Sequence, residues 1–503
     1  MLVLPPLESV TRGQVAQAAL VVVLTPVVLS LFHVVRRKMR VAKALEPIPG
    51  PKGSLLFGIF PEIVANFARL YDFQEDLMVK YGGRIKLPGN IFKDGTVMLA
   101  SAEDVKHILS DNFDNYIKSD EMMDAFRTMF GNSFMCLNHA HTHDNGQMWR
   151  IQRKVASKVF TANNFKVFTE ELFHKYAQDM GDLIDAQDGK CDMSKIANLY
   201  TLSTIFDISC GVVLKDVDKK FGLSFMDSMT FVIDNLIDRL IARPYYRYFW
   251  WCMPSEYRLK RDVKVIQDIA DSILQPRLAE SDAEISKRHD ILSLFIQKAR
   301  ELEGGEGQAV LDISTLRDVM LAFVIAGWHT TASFITWLSY VIAQYPEVQE
   351  KLYDEVSKLS TTALTYDDVK KLKYLDAVAM ETMRLYPTLP FNIKIAAKDD
   401  HLPDGTPLWS EDPLVFRPER WLELKTRPSA FEFPAFQAGP RVCPGMNLSL
   451  LETKMFVAVM LQRFHFKVQD GEQVANRPYK MGTNLVMEGG LPLQMTPRVA
   501  PSS

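Results

Sequence analysis

Val15 to Val35 forms a run of 21 residues without a charge, carrying Leu20-Val21-Val22-Val23-Leu24 and Val27-Val28-Leu29. As a helix it would run about 31 Å, roughly one bilayer core. Arg36, Arg37, Lys38, Arg40 and Lys43 follow directly. Such charges stay cytoplasmic and leave the N-terminus outside or lumenal. The run is long for a cleaved signal peptide, and no small-residue cleavage site precedes the charges. Residues 1–46 therefore read as a retained signal-anchor, with its span at about 15–35 and a basic stop-transfer cluster. Pro26 and the polar Gln17, Thr25 and His33 weaken that span without removing it. The alternating prolines of Glu46-Pro47-Ile48-Pro49-Gly50-Pro51-Lys52-Gly53 lack amide donors and have fixed φ, so 47–53 reads as a short stiff spacer.

From residue 54 to 503 the pattern is mostly helical, with no internal repeat and no second linker. Short β-like pieces stand at Arg84–Leu87 and Thr96–Leu99, and again at Leu485–Met487 and Leu491–Gln494. Glu301 to Gly307 is a polar glycine-rich loop. It leads into the longest helical stretch, with Asp312 or Ser314 as N-cap and Pro346 as the stop. Leu321 to Tyr345 has no Asp, Glu, Lys or Arg, but Trp328, His329, Thr330, Thr331, Ser333 and Thr336 crowd its middle. Such polar density suits a core helix lining a pocket better than a second span. A further helix is expected from near Thr365 to before Pro387, and another from about Met446 to Arg463. The fold class is mainly α with a small β region.

Composition adds exclusions. The 503 residues are 47% hydrophobic and 24% charged, ordinary globular usage rather than disorder or a multi-span membrane protein. With 58 Lys+Arg against 61 Asp+Glu, nothing global points to nucleic acid. Cys136, Cys191, Cys210, Cys252 and Cys443 are odd in number and scattered, so a disulfide-stapled fold is excluded. His139-Ala-His141-Thr-His143-Asp144 has the look of a metal cluster. Alternating histidines also occur by chance, and no second cluster completes a di-iron site.

Phe436-Gln-Ala-Gly439-Pro-Arg441-Val-Cys443-Pro-Gly445 is the most informative segment. Its cysteine lies just before a helix, where amide donors and the dipole favour a thiolate. Gly439 and Gly445 remove side chains where a flat ligand would press on the backbone. Arg441 is a fixed cation two residues from the sulfur, suited to an anionic group on the same ligand. Glu381 and Arg384 stand at i and i+3, so they share a helix face. Trp149 and Arg153 share another, with Arg150, Lys154 and Lys158 adding positive charge nearby.

The pattern F-x-x-G-x-R-x-C-x-G resembles the haem-ligand loop of the cytochrome P450 family, and all five fixed positions match. The resemblance runs from about Pro47 to Leu493. It implies haem b with Cys443 as the axial metal ligand, in a loop that includes Phe436, Gly439, Arg441 and Gly445. It also implies that Trp149 and Arg153 lie on the haem edge, by a propionate. Glu381-x-x-Arg384 is similar to the family's core-stabilising helix, and Phe416-Arg-Pro-Glu-Arg420-Trp421 to the segment whose arginine, here Arg420, completes that network. Ala326-Gly327-Trp328-His329-Thr330-Thr331 resembles the oxygen-activation motif. There a small residue, here Gly327, leaves room for O2, and Thr330 orders a proton-delivering water.

Two departures stand out. His329 occupies the place of the family's acid. It can act as a proton relay, or reach the iron, or point away into a hydrogen-bonded groove, and the last reading is preferred. Moreover, the 62-residue interval from Glu381 to Cys443 is shorter than the family's usual one. About one strand and one short helix are missing after Leu402-Pro-Asp-Gly-Thr-Pro-Leu408, where the chain continues into Trp409-Ser-Glu-Asp412.

The resemblance implies a monooxygenase inserting one oxygen atom from O2 into a C–H bond of a lipophilic substrate. Leu385-Tyr-Pro387, Lys398-Asp-Asp400 and Leu402-Pro-Asp-Gly-Thr406 are most similar to the branch that hydroxylates fatty acids at or near the chain terminus. Electrons would come through a separate NADPH–cytochrome P450 reductase, with cytochrome b5 as an optional second partner, because no flavin or nicotinamide motif is present. The expected location is the endoplasmic reticulum membrane, single-pass, with residues 54–503 as a cytoplasmic catalytic haem domain. Two other classes compete: a haem-thiolate isomerase or dehydratase, against which Thr330 argues, and a catalytically degenerate haem-binding protein.

Overall fold

The computed structural model describes residues 12–498 apart from 55, 91–92, 140–145, 222–223, 242–245, 303–307, 309, 361–362, 404–413 and 470–476. The chain divides into two compact units, one ending at Ser101 and the other spanning Ala102–Ser503.

In the first unit, helix α1 (Arg12–Leu45) is continuous. It does not stop at the basic cluster but runs through it, and Pro26 sits inside without ending it. Among its described side chains Val21, Val22, Val28, Leu29, Leu31 and Phe32 are open to the surroundings. Residues 46–53 form neither helix nor strand, as proline spacing requires. Helix α2 (Leu70–Tyr81) packs on the antiparallel pair β1 (Arg84–Leu87) and β2 (Thr96–Leu99). Their small core is Ile59, Leu77 and Ile85. Both strands fall where the sequence places them, and they make a two-stranded sheet.

The second unit is mainly helical. In chain order, the elements that build the site are β3 (Tyr116–Ile117), α3 (Gly146–Val159), β4 (Lys190–Asp192), α4 (Met193–Cys210), α5 (Ile313–Gln344), α6 (Tyr366–Lys371), α7 (Lys373–Leu385), β5 (Ile395–Ala396), α8 (Met446–Arg463), β6 (Phe464–Val468), β7 (Tyr479–Lys480), β8 (Val486–Met487) and β9 (Pro492–Pro497). Helix α5 is the centre. It is apolar nearly all round, and such a helix must be enclosed. Among the described residues it is the helix with the length and hydropathy of a membrane span, yet most of it is buried in protein, against α4 and α8. Asp312 is its N-cap, accepting from the Thr315 amide at 3.1 Å, and Pro346 opens the next helix rather than only ending this one.

Helix α8 has the bounds expected of it, and β6 follows with no loop. There Phe464, Phe466 and Val468 face inward, and β6 pairs antiparallel with β9, which in turn pairs with β4. Expectation and structure part over Thr365–Pro387, which is two helices rather than one. Thr365 and Asp368 form a capping box that starts α6. Leu372 then leaves helical geometry, and the carboxylate of distant Glu355 accepts from the Tyr374 and Leu375 amides, both at 2.9 Å, to start α7. A tertiary cap has replaced a helical turn. In the shortened region, β5 pairs with β3. Residues 404–413, where the shortening is expected, lie outside the described residues, as does most of the glycine-rich loop.

Candidate active site

The cysteine loop is built by two short 3-10 turns, Pro434–Phe436 and Gly439–Arg441, which end at the start of α8. Cys443 donates its amide to the Phe436 carbonyl at 2.8 Å, closing the loop on itself. Gly439 has φ +62°, and a Cβ there would sit 2.0 Å from the Leu109 carbonyl oxygen, so only glycine fits. Gln437 also takes positive φ, at 63°, a strained value for a residue with a side chain. Asn392 Nδ2 donates to Gln437 Oε1 at 2.6 Å. A Cβ on Gly445 would come 3.8 Å from the Cys443 sulfur, so this glycine keeps the ground beside the sulfur clear.

Burial pushes the Cys443 thiol up, and the Gly445 amide, Arg153 and the Met446 amide pull it down without reversing that. This corrects the expectation that the helix terminus favours the thiolate by itself. Two amide donors do not offset desolvation, so a cation at the sulfur must supply the rest.

Helix α3 supplies Trp149 and Arg153. Trp149 is buried, with the Arg441 guanidinium 4.5 Å over its ring. Arg153 donates to the Val442 carbonyl at 2.6 Å and to the Pro440 carbonyl at 3.3 Å, bracing the loop beside the sulfur. Arg441 donates to the Leu137 carbonyl at 2.8 Å and to His139 Nδ1 at 3.2 Å. His139 Nε2 is 2.8 Å from the Phe113 carbonyl oxygen, which makes Nδ1 the acceptor. His139 thus serves the loop; His141, His143 and Asp144 lie outside the described residues. No group of three metal-ligating side chains exists among those described.

Sequence reasoning missed Lys118 and Lys394. Burial lowers Lys118 to about 7, Lys394 to about 8 and Arg441 to about 9, and each of the two lysines also feels Arg441. Among the described residues none of the three forms an ion pair. All three are half-buried, and cations drawn partly out of water without carboxylates are costly unless an anion joins them. No local pattern marks either lysine, so only the fold brings them to Arg441.

A separate buried network holds the region together. Glu381 is fully buried and accepts from Arg384 Nε and Nη2, both at 2.9 Å, and from Arg420 Nε at 3.0 Å. The Arg417 amide and Trp421 Nε1 complete its shell, at 2.7 and 2.9 Å. Burial alone would raise this carboxyl; the Arg384 bonds, the Arg417 amide and Trp421 hold it below its ordinary value instead.

On α5, Thr330 Oγ1 donates to the Ala326 carbonyl at 2.6 Å, and Thr331 lies 3.0 Å from Ser449, one turn into α8. That bond ties the threonine turn to the helix behind Cys443. A Cβ on Gly327 would lie 2.5 Å from Ile205, so this glycine serves close packing of α5 on α4, and Ala326 is the exposed small residue of the pair. His329 turns the other way, with Nδ1 accepting from Asn484 at 3.0 Å. This matches the hydrogen-bonded groove preferred from sequence.

A sulfur facing amides, a glycine beside it and three cations with no carboxylate partner among the described residues fit a flat ligand with a central metal and acidic edge groups. The family model of cytochrome P450 matches residues 48–493. Cytochrome P450 704B1 of Arabidopsis thaliana is 29% identical, covering 89% of this chain and 95% of that protein. Cytochrome P450 94B1 of Arabidopsis thaliana is 27% identical, over 89% and 91%, and Cytochrome P450 94A1 of Vicia sativa is 27% identical, over 89% and 90%. With site and match in agreement, the chain belongs to the cytochrome P450 family of haem-binding monooxygenases.

Proposed function

We propose that this monooxygenase hydroxylates a fatty acid at or near its terminus. We further propose that α1 anchors it in the endoplasmic reticulum membrane, with its catalytic part cytoplasmic and electrons drawn from NADPH–cytochrome P450 reductase. The observation that carries the chemistry is the loop around Cys443 with three cations that have no carboxylate partner among the described residues. Haem bound there supplies oxygen activation and the thiolate push. The chain's own residues do the rest. Cys443 ligates, and Arg441, Lys118 and Lys394 neutralise acidic edge groups. Arg153 fixes the loop carbonyls beside the sulfur. Thr330 presents a hydroxyl on the exposed side of Ala326 where a proton donor is needed.

The substrate class rests on the resemblance of Leu385-Tyr-Pro387 and Lys398-Asp-Asp400 to the fatty-acid branch. Asp400 accepts from His107 and Tyr116 at 2.7 Å and from Asn112 at 2.9 Å, so this segment holds shape rather than substrate. Membrane attachment is supported by 34 helical residues in α1, about 51 Å, with apolar side chains facing outward. It is also supported by Tyr248, Phe249, Trp250, Trp251 and Tyr257, exposed together in one stretch, the residue types that favour a lipid interface. The test is turnover of saturated C12 to C18 fatty acids with reductase, NADPH and labelled O2. Label in a terminal or near-terminal hydroxyl is expected; NADPH-independent conversion, or none with any fatty acid, contradicts the proposal.

A further inference from the structure

His329, Ser333 and Trp337 stand at i, i+4 and i+8 on α5, one face of one helix. All three bond to the same two residues of the hairpin between β7 and β8. Asn484 Nδ2 donates to His329 Nδ1 at 3.0 Å. The Leu485 carbonyl accepts from Ser333 Oγ at 2.6 Å and from Trp337 Nε1 at 2.7 Å. The Leu485 amide donates in turn to the Thr388 carbonyl at 2.9 Å, just past α7. The hairpin is therefore fastened along a polar stripe, and the stripe begins at the residue next to Thr330.

The bond to Asn484 has a direction. The Asn484 amide oxygen faces the Thr483 hydroxyl at 3.5 Å, which leaves its NH2 toward His329. A ring nitrogen that accepts carries no hydrogen, so the imidazole is neutral, with its proton on Nε2. Burial first and the Lys480 charge second hold that ring down at about 4, in keeping with an acceptor role. Asn484 is itself nearly buried, so losing the bond would strand two polar groups.

We propose that Asn484 is a positioning residue that fixes His329 as the neutral Nε2–H tautomer and latches the β7–β8 hairpin to the Thr330 turn of α5. The place that holds an acid in the family pattern is here the first rung of a hairpin clamp rather than a proton relay. The proposal rests on reading Ala326–Thr331 as the oxygen-activation segment, but its test needs no turnover, so the two can fail separately. Any movement of the hairpin is felt at the residue beside Thr330, because the clamp spans both.

The test uses full-length holoenzyme in its diamagnetic ferrous carbon-monoxide form, labelled with 15N-histidine. The His329 signals are assigned by their loss in His329→Asn. The expected spectrum shows an unprotonated Nδ1 and a protonated Nε2, unchanged from pH 8 to pH 5.5. A protonated Nδ1, or a ring that titrates in that range, overturns the proposal, and this wild-type measurement stands even if a variant misfolds. Hydrogen exchange over residues 479–488 supplies the second arm. Asn484→Leu and His329→Leu should each speed exchange about tenfold, and the double variant no more than either alone. His329→Asn, which keeps an acceptor at the Nδ1 position, should retain protection. Additive single effects, or a His329→Asn hairpin as open as that of His329→Leu, contradict the latch.

Discussion

Around Glu381, two arginines, a backbone amide and an indole converge on one carboxylate, and every charge finds its partner inside the chain. Around Arg441 the same residue type is half-buried beside Lys118 and Lys394, with no carboxylate on any of them among the described residues. The first cluster is finished when the chain folds. The second is finished only when an anion arrives. Both draw arginine at least partly out of water, so withdrawal of charge from solvent alone does not distinguish a scaffold from a binding site; the balance of charge does. Glu452 on α8 is a third case. It is a lone buried carboxyl bonded by Thr204, and burial raises it to about 8, so it takes up a proton instead of finding a cation.

The contrast predicts opposite responses to removing one charge. Glu381→Gln removes the buried carboxylate that Arg384 and Arg420 share and should cost about 3–5 kcal/mol, read as a large fall in Tm. A loss under about 1 kcal/mol would show that the network is not what holds this region. Arg441→Met removes a cation with no carboxylate partner among the described residues, at the cost of its bonds to Leu137 and His139, so the haem-free chain should lose far less stability than Glu381→Gln. Haem occupancy should nevertheless drop at least about tenfold, since the edge groups lose a neutralising donor. If haem-free Arg441→Met is as unstable as Glu381→Gln, the two clusters are not different in kind. Glu452→Gln should have a smaller, pH-dependent effect. A carboxyl raised in the folded state from 4.5 to about 8 contributes stability that is full below pH 4.5 and lost as pH rises toward 8. The glutamine variant lacks that slope and should exceed wild type at pH 8 by about 1 kcal/mol or more, with little gain at pH 5. Equal differences at both pH values would place the proton elsewhere.

Much of this was open to reading along the chain. Cys443, Arg441 and Gly439 lie within five residues of one another, and Glu381 and Arg384 within one helical turn, so spacing alone aligns them. The limits of α8 follow from Gly445 before it and the β-prone Phe464 after it. What could not be read is what folding brings together from far apart. His139 meets Arg441 across 302 residues, and Asn484 meets His329 across 155. Glu355 caps α7 from another helix, which no periodicity within Thr365–Pro387 could announce. The opposing pull on Cys443 was hidden for a related reason: the helix terminus whose amides favour the thiolate is visible in the sequence, whereas the depth of burial is not.

The central claim is that Cys443 ligates haem iron as a thiolate while Arg441, Lys118 and Lys394 neutralise its acidic edge. The reduced carbon-monoxide difference spectrum of the full-length protein tests it most directly. The account predicts the long-wavelength Soret band of thiolate-ligated haem in the wild type and its complete loss in Cys443→Ala. A wild-type spectrum without the thiolate band, or a Cys443→Ala variant that retains it, would contradict the account.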